Sequence, residues 1–183
     1  MADESNAFFQ STAFLNGFWV FVGVVPGAFI QHVLASLERR RQARNALKVL
    51  KTEIDYNLNE VKALLSHIET LKQKMGANQY VERDLYFPMH KFDYSSFAPL
   101  ANSGYFHVLL GPQRLKSYLE FKNFFRVESG VNFASMLKSE HEQGRSLAYL
   151  GWVEGRAREL SSEIERILKS RISYISFSLV DCT

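Results

Sequence analysis

Between Ser5 and Leu37 the chain carries no Asp, Glu, Lys or Arg, and residues 14–37, FLNGFWVFVGVVPGAFIQHVLASL, are apolar almost throughout. A hydrocarbon core of roughly 30 Å is crossed by about 20 apolar helical residues, so this stretch predicts a transmembrane helix. The pattern then changes. Residues 38–75 contain neither Pro nor Gly, and Leu47, Leu50, Ile54, Leu58, Val61, Leu65, Ile68, Leu71 and Met75 recur at spacings of three and four. That periodicity predicts a long amphipathic helix, ended by Gly76 and Asn78, residue types that readily take the left-handed conformation past a helix end. Run together without a break, the two helices would span about 60 residues, on the order of 90 Å at 1.5 Å per residue. Such a rod suits either an oligomeric seam or the spine of a folded domain.

Beyond it the pattern is shorter-ranged. Residues 77–88, ANQYVERDLYFP, predict a loop with room for a short extended piece. Residues 92–98 hold at most a turn or two of helix, since Pro99 disfavours helical geometry at Ala98. The run YFHVLL, 105–110, fits helix or strand equally, and Gly111-Pro112 restarts the chain as the opening of a helix. Leu115, Tyr118, Phe121 and Phe125 give residues 113–126 an apolar helical face, which Glu128-Ser129-Gly130 is expected to break. A last long helix is predicted over 132–171, interrupted or loosened at Gly144, Gly151 and Gly155, with Leu160, Ile164, Ile167 and Leu168 inward. Residues 172–180, ISYISFSLV, read as a strand or a disordered end. The fold class expected is mainly α.

The predicted span has an unequal circumference. At about 100° per residue, Asn16, Gly23, Gly27 and Gln31 fall within roughly 80° of one another, away from Phe18, Phe21 and Phe29. Gly23 and Gly27 have a small-xxx-small spacing that allows close helix approach, and Pro26 between them can kink the helix. A small and polar face in lipid calls for protein or water, which predicts self-association and admits a pore. His32 lies off that face near the basic end and suits an interfacial position.

Charge sets the orientation. The formal net charge is only +3, from 22 bases and 19 acids, so the chain as a whole lacks the basicity of a nucleic-acid binder. The bases cluster at one place, where Arg39, Arg40, Arg41, Arg44, Lys48 and Lys51 follow the apolar run, whereas the preceding residues carry only Asp3 and Glu4. An acidic leader argues against a secretory signal peptide. The positive-inside rule predicts residues 1–13 outside, 14–37 in the membrane and 38–183 in the cytoplasm. The arginine cluster is expected to meet anionic headgroups, and no aromatic platform interleaves with it for nucleic acid. One cysteine, Cys182, excludes an intrachain disulfide and cysteine-based zinc sites.

Catalytic motifs are scarce. No phosphate-binding loop, nucleophile elbow or dinucleotide fingerprint occurs, and no cofactor or metal is expected. Glu53, Asn57, Glu60 and His67 share one side of the long helix, but the paired Glu-x-x-His motifs of bundle di-iron sites are missing, and a solvated face is the expectation. His107, inside an apolar run, is expected to be a hydrogen-bonded core residue. Arg83 and His90, with six residues between them, are the weak catalytic candidates: they reach the outer limit of the Arg-x(4–6)-His spacing of HEPN ribonucleases, where His serves as acid or base. Pro88 argues against one regular helix carrying both.

The span, its basic stop RRRQAR, LKTEIDYNL on the next helix, the NSGYFHVLLGP turn and the closing amphipathic helix together resemble small membrane proteins of bacterial antiviral loci. They are most similar to the membrane accessory proteins of type VI CRISPR systems. The resemblance implies a ring-shaped pore in the bacterial inner membrane with a HEPN-like cytosolic domain, whose depolarising action strengthens RNA-guided defence. It implies three partners: further copies of the chain, the lipid bilayer and an RNA-guided defence nuclease. Direct nucleic-acid binding is not expected. The sequence departs from an active HEPN motif, which leaves a ribonuclease as the lesser alternative, beside a non-conducting membrane anchor that recruits a cytosolic partner.

Overall fold

The computed structural model describes the backbone of residues 12–177 and the side chains of residues 18–169. All regular structure among them is helical. Helix α1 (Thr12–Gly76) runs through Pro26 and joins the apolar and amphipathic segments into one element. Two 3-10 turns follow, Glu82–Leu85 and Met89–Lys91, then α2 (Phe97–Asn102), α3 (Tyr105–Phe124), α4 (Val127–Glu142) and α5 (Ser146–Phe177). Two compact units divide at the Asn45/Ala46 bond.

In the first unit the apolar segment is uncovered: Trp19, Phe21 and Phe29 are each about two-thirds exposed. The helix is the one element long and apolar enough to cross a membrane among the described residues, and none of its most apolar stretch is buried.

The second unit closes a single hydrophobic core. The amphipathic part of α1 supplies Leu50, Ile54, Leu58, Val61, Leu64, Ile68, Leu71 and Met75, at spacings of three and four on one helical face. The end of α1 is as the sequence predicts: Asn78 has φ +56°, and Gln79 N–H donates to the Lys74 carbonyl at 2.8 Å. Facing this stripe, Tyr118, Phe121 and Phe125 are essentially inaccessible, and Phe125 stacks on Phe92 with ring centroids 4.7 Å apart. Helix α5 contributes Leu150, Val153, Ala157, Leu160 and Ile164.

Several local expectations give way to tertiary context. Pro99 lies inside α2, at its third residue, where a helical N–H has no intrahelical acceptor to lose. The 105–110 run is helical, and α3 breaks at Gly111, whose φ of +71° and ψ of 168° suit only glycine, with Pro112 resuming the helix. The next break falls at Phe125–Arg126 and not at 128–130. There Ser129 Oγ donates to the Asn123 carbonyl at 2.8 Å. Gly130 is a packing glycine: a Cβ at that position would sit 2.7 Å from Met89 Cγ and 3.0 Å from the Phe87 carbonyl oxygen. Of the three glycines at which the 132–171 stretch is expected to be interrupted or loosened, Gly144 separates two helices, while Gly151 and Gly155 lie within α5 without interrupting it. Through Phe177 the tail is helix and not strand, and residues 178–180 lie outside the described residues.

Candidate functional site

Two regions hold the residues singled out from the sequence. In the first unit, Gly23 and Gly27 have no neighbouring atom within 4 Å of an added Cβ, so the glycines face open space in the isolated chain. Gln31 and Pro26 are likewise exposed, while the Asn16 side chain lies outside the described residues. Gly23 and Gly27 therefore meet no neighbour among the described residues. Following it, Arg39, Arg40, Arg41 and Arg44 are all exposed on consecutive turns of α1, and Glu38 is engaged by the Gln42 amide, which donates to its Oε1 at 3.1 Å.

The second unit contains a polar node that the sequence pattern hides. Glu53 and Asn57, expected on a solvated face, are buried, with Asn57 fully inaccessible. Tyr118 Oη donates to Glu53 Oε1 and the Ser96 N–H donates to Glu53 Oε2, both at 2.7 Å. One turn on, Asn57 Nδ2 donates to the Asp93 carbonyl at 2.6 Å and accepts from the Asp93 N–H at 2.8 Å through Oδ1. Together the two side chains replace the backbone pairing that the irregular segment 93–96 lacks, and so pin it to α1. Burial, followed by the hydrogen bond to Glu53, pushes the Tyr118 hydroxyl well above the usual tyrosine range; burial and then the Glu53 charge do the same to Tyr94. Both phenols stay protonated at neutral pH.

What could have pointed to this node is register. Read as 50, 54, 57, 61, 64, 68, 71 and 75, the buried stripe of α1 places Asn57 at a core position and Glu53 beside it. Leu58 is buried as well and Leu65 packs against the core, and a stripe drawn through these two passes over the polar position at Asn57.

The Glu53 and Asn57 side chains are fully engaged, whereas Tyr94 Oη and Ser96 Oγ beside them are buried without a hydrogen-bond partner. Among the described residues no group of three or more His, Cys, Asp or Glu is arranged to hold a metal ion. An open cleft of about 420 Å³ adjoins the node, lined by Lys48, Val49, Thr52, Glu53, Tyr56, Asp93 and Ser95. A second, of about 440 Å³, lies between α1 and α5 and mixes Lys51, Lys62 and Lys169 with Asp55 and Glu165.

Arg83 and His90 occupy the two separate 3-10 turns, each exposed. His90 Nδ1 is 2.8 Å from Tyr86 Oη and so is engaged locally. His107 is exposed and not a core residue, because the kink at Gly111 leaves Phe106, Leu109 and Leu110 as the buried face of that turn. Of the remaining histidines, His67 has its Nε2 buried without a hydrogen-bond partner and its ring edge-on to Phe87.

No protein-family model, curated protein or solved structure matches the chain.

Proposed function

We propose that this protein is an oligomeric pore-forming or membrane-perturbing component of bacterial antiviral defence of the CRISPR type. In this reading α1 crosses the inner membrane with residues 1–13 outside, and the second unit is a HEPN-like helical domain in the cytoplasm. The observation that carries it is the uncovered apolar segment. A helix that leaves Trp19, Phe21 and Phe29 in contact with solvent is at odds with the cost of exposing large apolar groups, about 25 cal/mol per Å² of apolar surface, unless lipid surrounds it. The same segment bears Gly23 and Gly27, which meet no neighbour among the described residues, and the stripe around them is the surface on which copies pack. Support for the defence setting comes from the resemblance to type VI CRISPR membrane accessory proteins.

Reconstitution into dye-loaded vesicles tests this reading. The full chain is expected to assemble and to release dye or pass current, and Gly23→Leu with Gly27→Leu is expected to abolish assembly by widening helix separation. A chain that purifies only as a monomer and conducts under no condition sinks the proposal. The closed core of the second unit favours a second reading, a non-conducting anchor that displays a folded partner-binding domain. Replacing residues 14–37 by an unrelated membrane helix separates the two, because only the anchor keeps its activity.

A further inference from the structure

The arginines that follow the apolar segment are four bases within six residues, unpaired among the described residues, whereas several bases of the second unit are engaged by acids. Lys72 and Arg158 both engage Glu154, Lys74 engages Asp84, and Arg145 engages Glu140. None of Arg39, Arg40, Arg41 and Arg44 makes an ion pair with a described residue, and the only acid beside them, Glu38, is engaged by Gln42. Like charges on adjacent turns destabilise a helix, so the cluster is incomplete until an anion joins it.

The helix also sorts these residues by face. Taking Arg40 as zero and about 100° per residue, Arg44, Val22, Phe29, Val33 and Leu37 all fall within a sector of roughly 80°. Those four apolar side chains are exposed, so this is the side that lipid would cover. Gly23, Gly27, Gln31, Glu38, Gln42 and Asn45 occupy a sector roughly 150° away, where the small and polar residues gather, and share it with Arg41 and the exposed Val20, Val24 and Leu34. Arg40 and Arg44 thus emerge directly beneath the lipid-facing stripe, one turn apart, whereas Arg41 falls at the angle of Gly23, on the side that Gln42 and Asn45 continue. Leu37 and Arg40 are separated by three residues, about 4.5 Å along the axis, which sets the guanidinium at the depth where an apolar surface gives way to headgroups.

We infer that Arg40 and Arg44 form a binding site for the phosphodiester headgroup of an anionic phospholipid. This rests on the membrane reading above. The planar guanidinium offers a donor fork that matches two phosphate oxygens, and the aliphatic stem packs against acyl carbons. Nucleic acid fits less well: no aromatic residue lies between Glu38 and Asn45 to stack a base.

The test titrates phosphatidylglycerol into the detergent-solubilised full chain and counts bound lipid by native mass spectrometry. Arg40→Gln with Arg44→Gln is expected to weaken binding about 30-fold, the effect of losing two bases near the surface. Lys116→Gln with Lys169→Gln removes the same charge from exposed positions of the second unit and is expected to leave binding unchanged. Equal weakening by the two pairs overturns the site, as does displacement of the lipid by inorganic phosphate or tighter binding of a single-stranded RNA oligonucleotide. Arg40→Lys with Arg44→Lys, which keeps the charge and loses the fork, is expected to bind with intermediate strength, and this conservative pair carries the test if the glutamine pair assembles poorly. Carbonate washing of membranes holding the full chain separates the two levels of failure. A chain that washes out breaks the membrane reading itself, whereas a retained chain with no preference for phosphatidylglycerol over phosphatidylcholine overturns only the lipid site.

Discussion

Residues 18–37 and the core of the second unit are equally rich in large apolar side chains and treat them in opposite ways. Phe29 is 67% exposed, while Phe121 and Phe125 are at 0%. Glycine follows the same division. Gly27 has open space where a Cβ would be, and Gly130 has Met89 and the Phe87 carbonyl within 3.0 Å. Hydrophobicity alone is therefore not the determinant of burial here. The second unit brings several amphipathic faces together and can satisfy each, whereas the apolar segment has no partner among the elements of its own unit.

Truncations break this contrast most strongly. Phe121→Ala is expected to cost the second unit about 3–5 kcal/mol in urea unfolding followed by near-UV circular dichroism, because a packed aromatic leaves a cavity. Phe29→Ala is expected to leave the same transition in place, and a comparable loss there would mean that the segment is part of the core. Glu53→Ala comes next. It orphans Tyr118 Oη and the Ser96 N–H in a buried site, with an expected loss of about 3 kcal/mol, while Glu53→Gln, which keeps a carbonyl acceptor, is expected to recover part of it.

Adding a single methyl sharpens the comparison. Gly130→Ala is expected to cost about 1–3 kcal/mol through overpacking against a backbone carbonyl that cannot swing aside. Gly27→Ala is expected to have no effect on the unfolding of the second unit.

The smallest effect is electrostatic. Hydrogen bonds from Lys72 and then Arg158, with their charges, hold the Glu154 carboxyl below its ordinary value of 4.5. A depressed carboxylate stabilises the folded state above its unfolded pKa and loses that contribution as pH falls through the folded value. Lys72→Gln is accordingly expected to flatten the decline in stability below about pH 4.5 by less than about 1 kcal/mol, as read from urea midpoints across an acid series.

How far these features were legible depends on their range. The α1 helix and its stop at Gly76 and Asn78 follow from periodicity and local backbone preference, and the Gly111-Pro112 restart is equally local. Pro99 and Gly130 mislead because each is judged as a breaker by residue type. Pro99 sits in a first turn where no bond is lost, and Gly130 is there to let Phe87 and Met89 approach. Glu53 and Asn57 were hidden since polar residues on a long helix are ordinarily solvated. Their partners, Ser96, Tyr118 and Asp93, lie 36 to 65 residues away, and no local pattern announces them. Of the residues proposed to act in the membrane, the spacing of Gly23, Gly27 and Gln31 was readable directly, because helical periodicity alone fixes which positions share a face.

By itself, then, the sequence determined that this is a helical protein whose first long helix is apolar enough to cross a membrane and is followed at once by a basic cluster. Composition and period suffice for that, since both act within a few turns of chain. The tertiary structure alone decided which polar residues of α1 go inside, where the later helices break, and that the arginines after the apolar segment make no ion pair with a described residue. Those outcomes depend on which distant groups arrive opposite one another, and the desolvation of a buried carboxylate or amide is tolerated only when such groups do arrive.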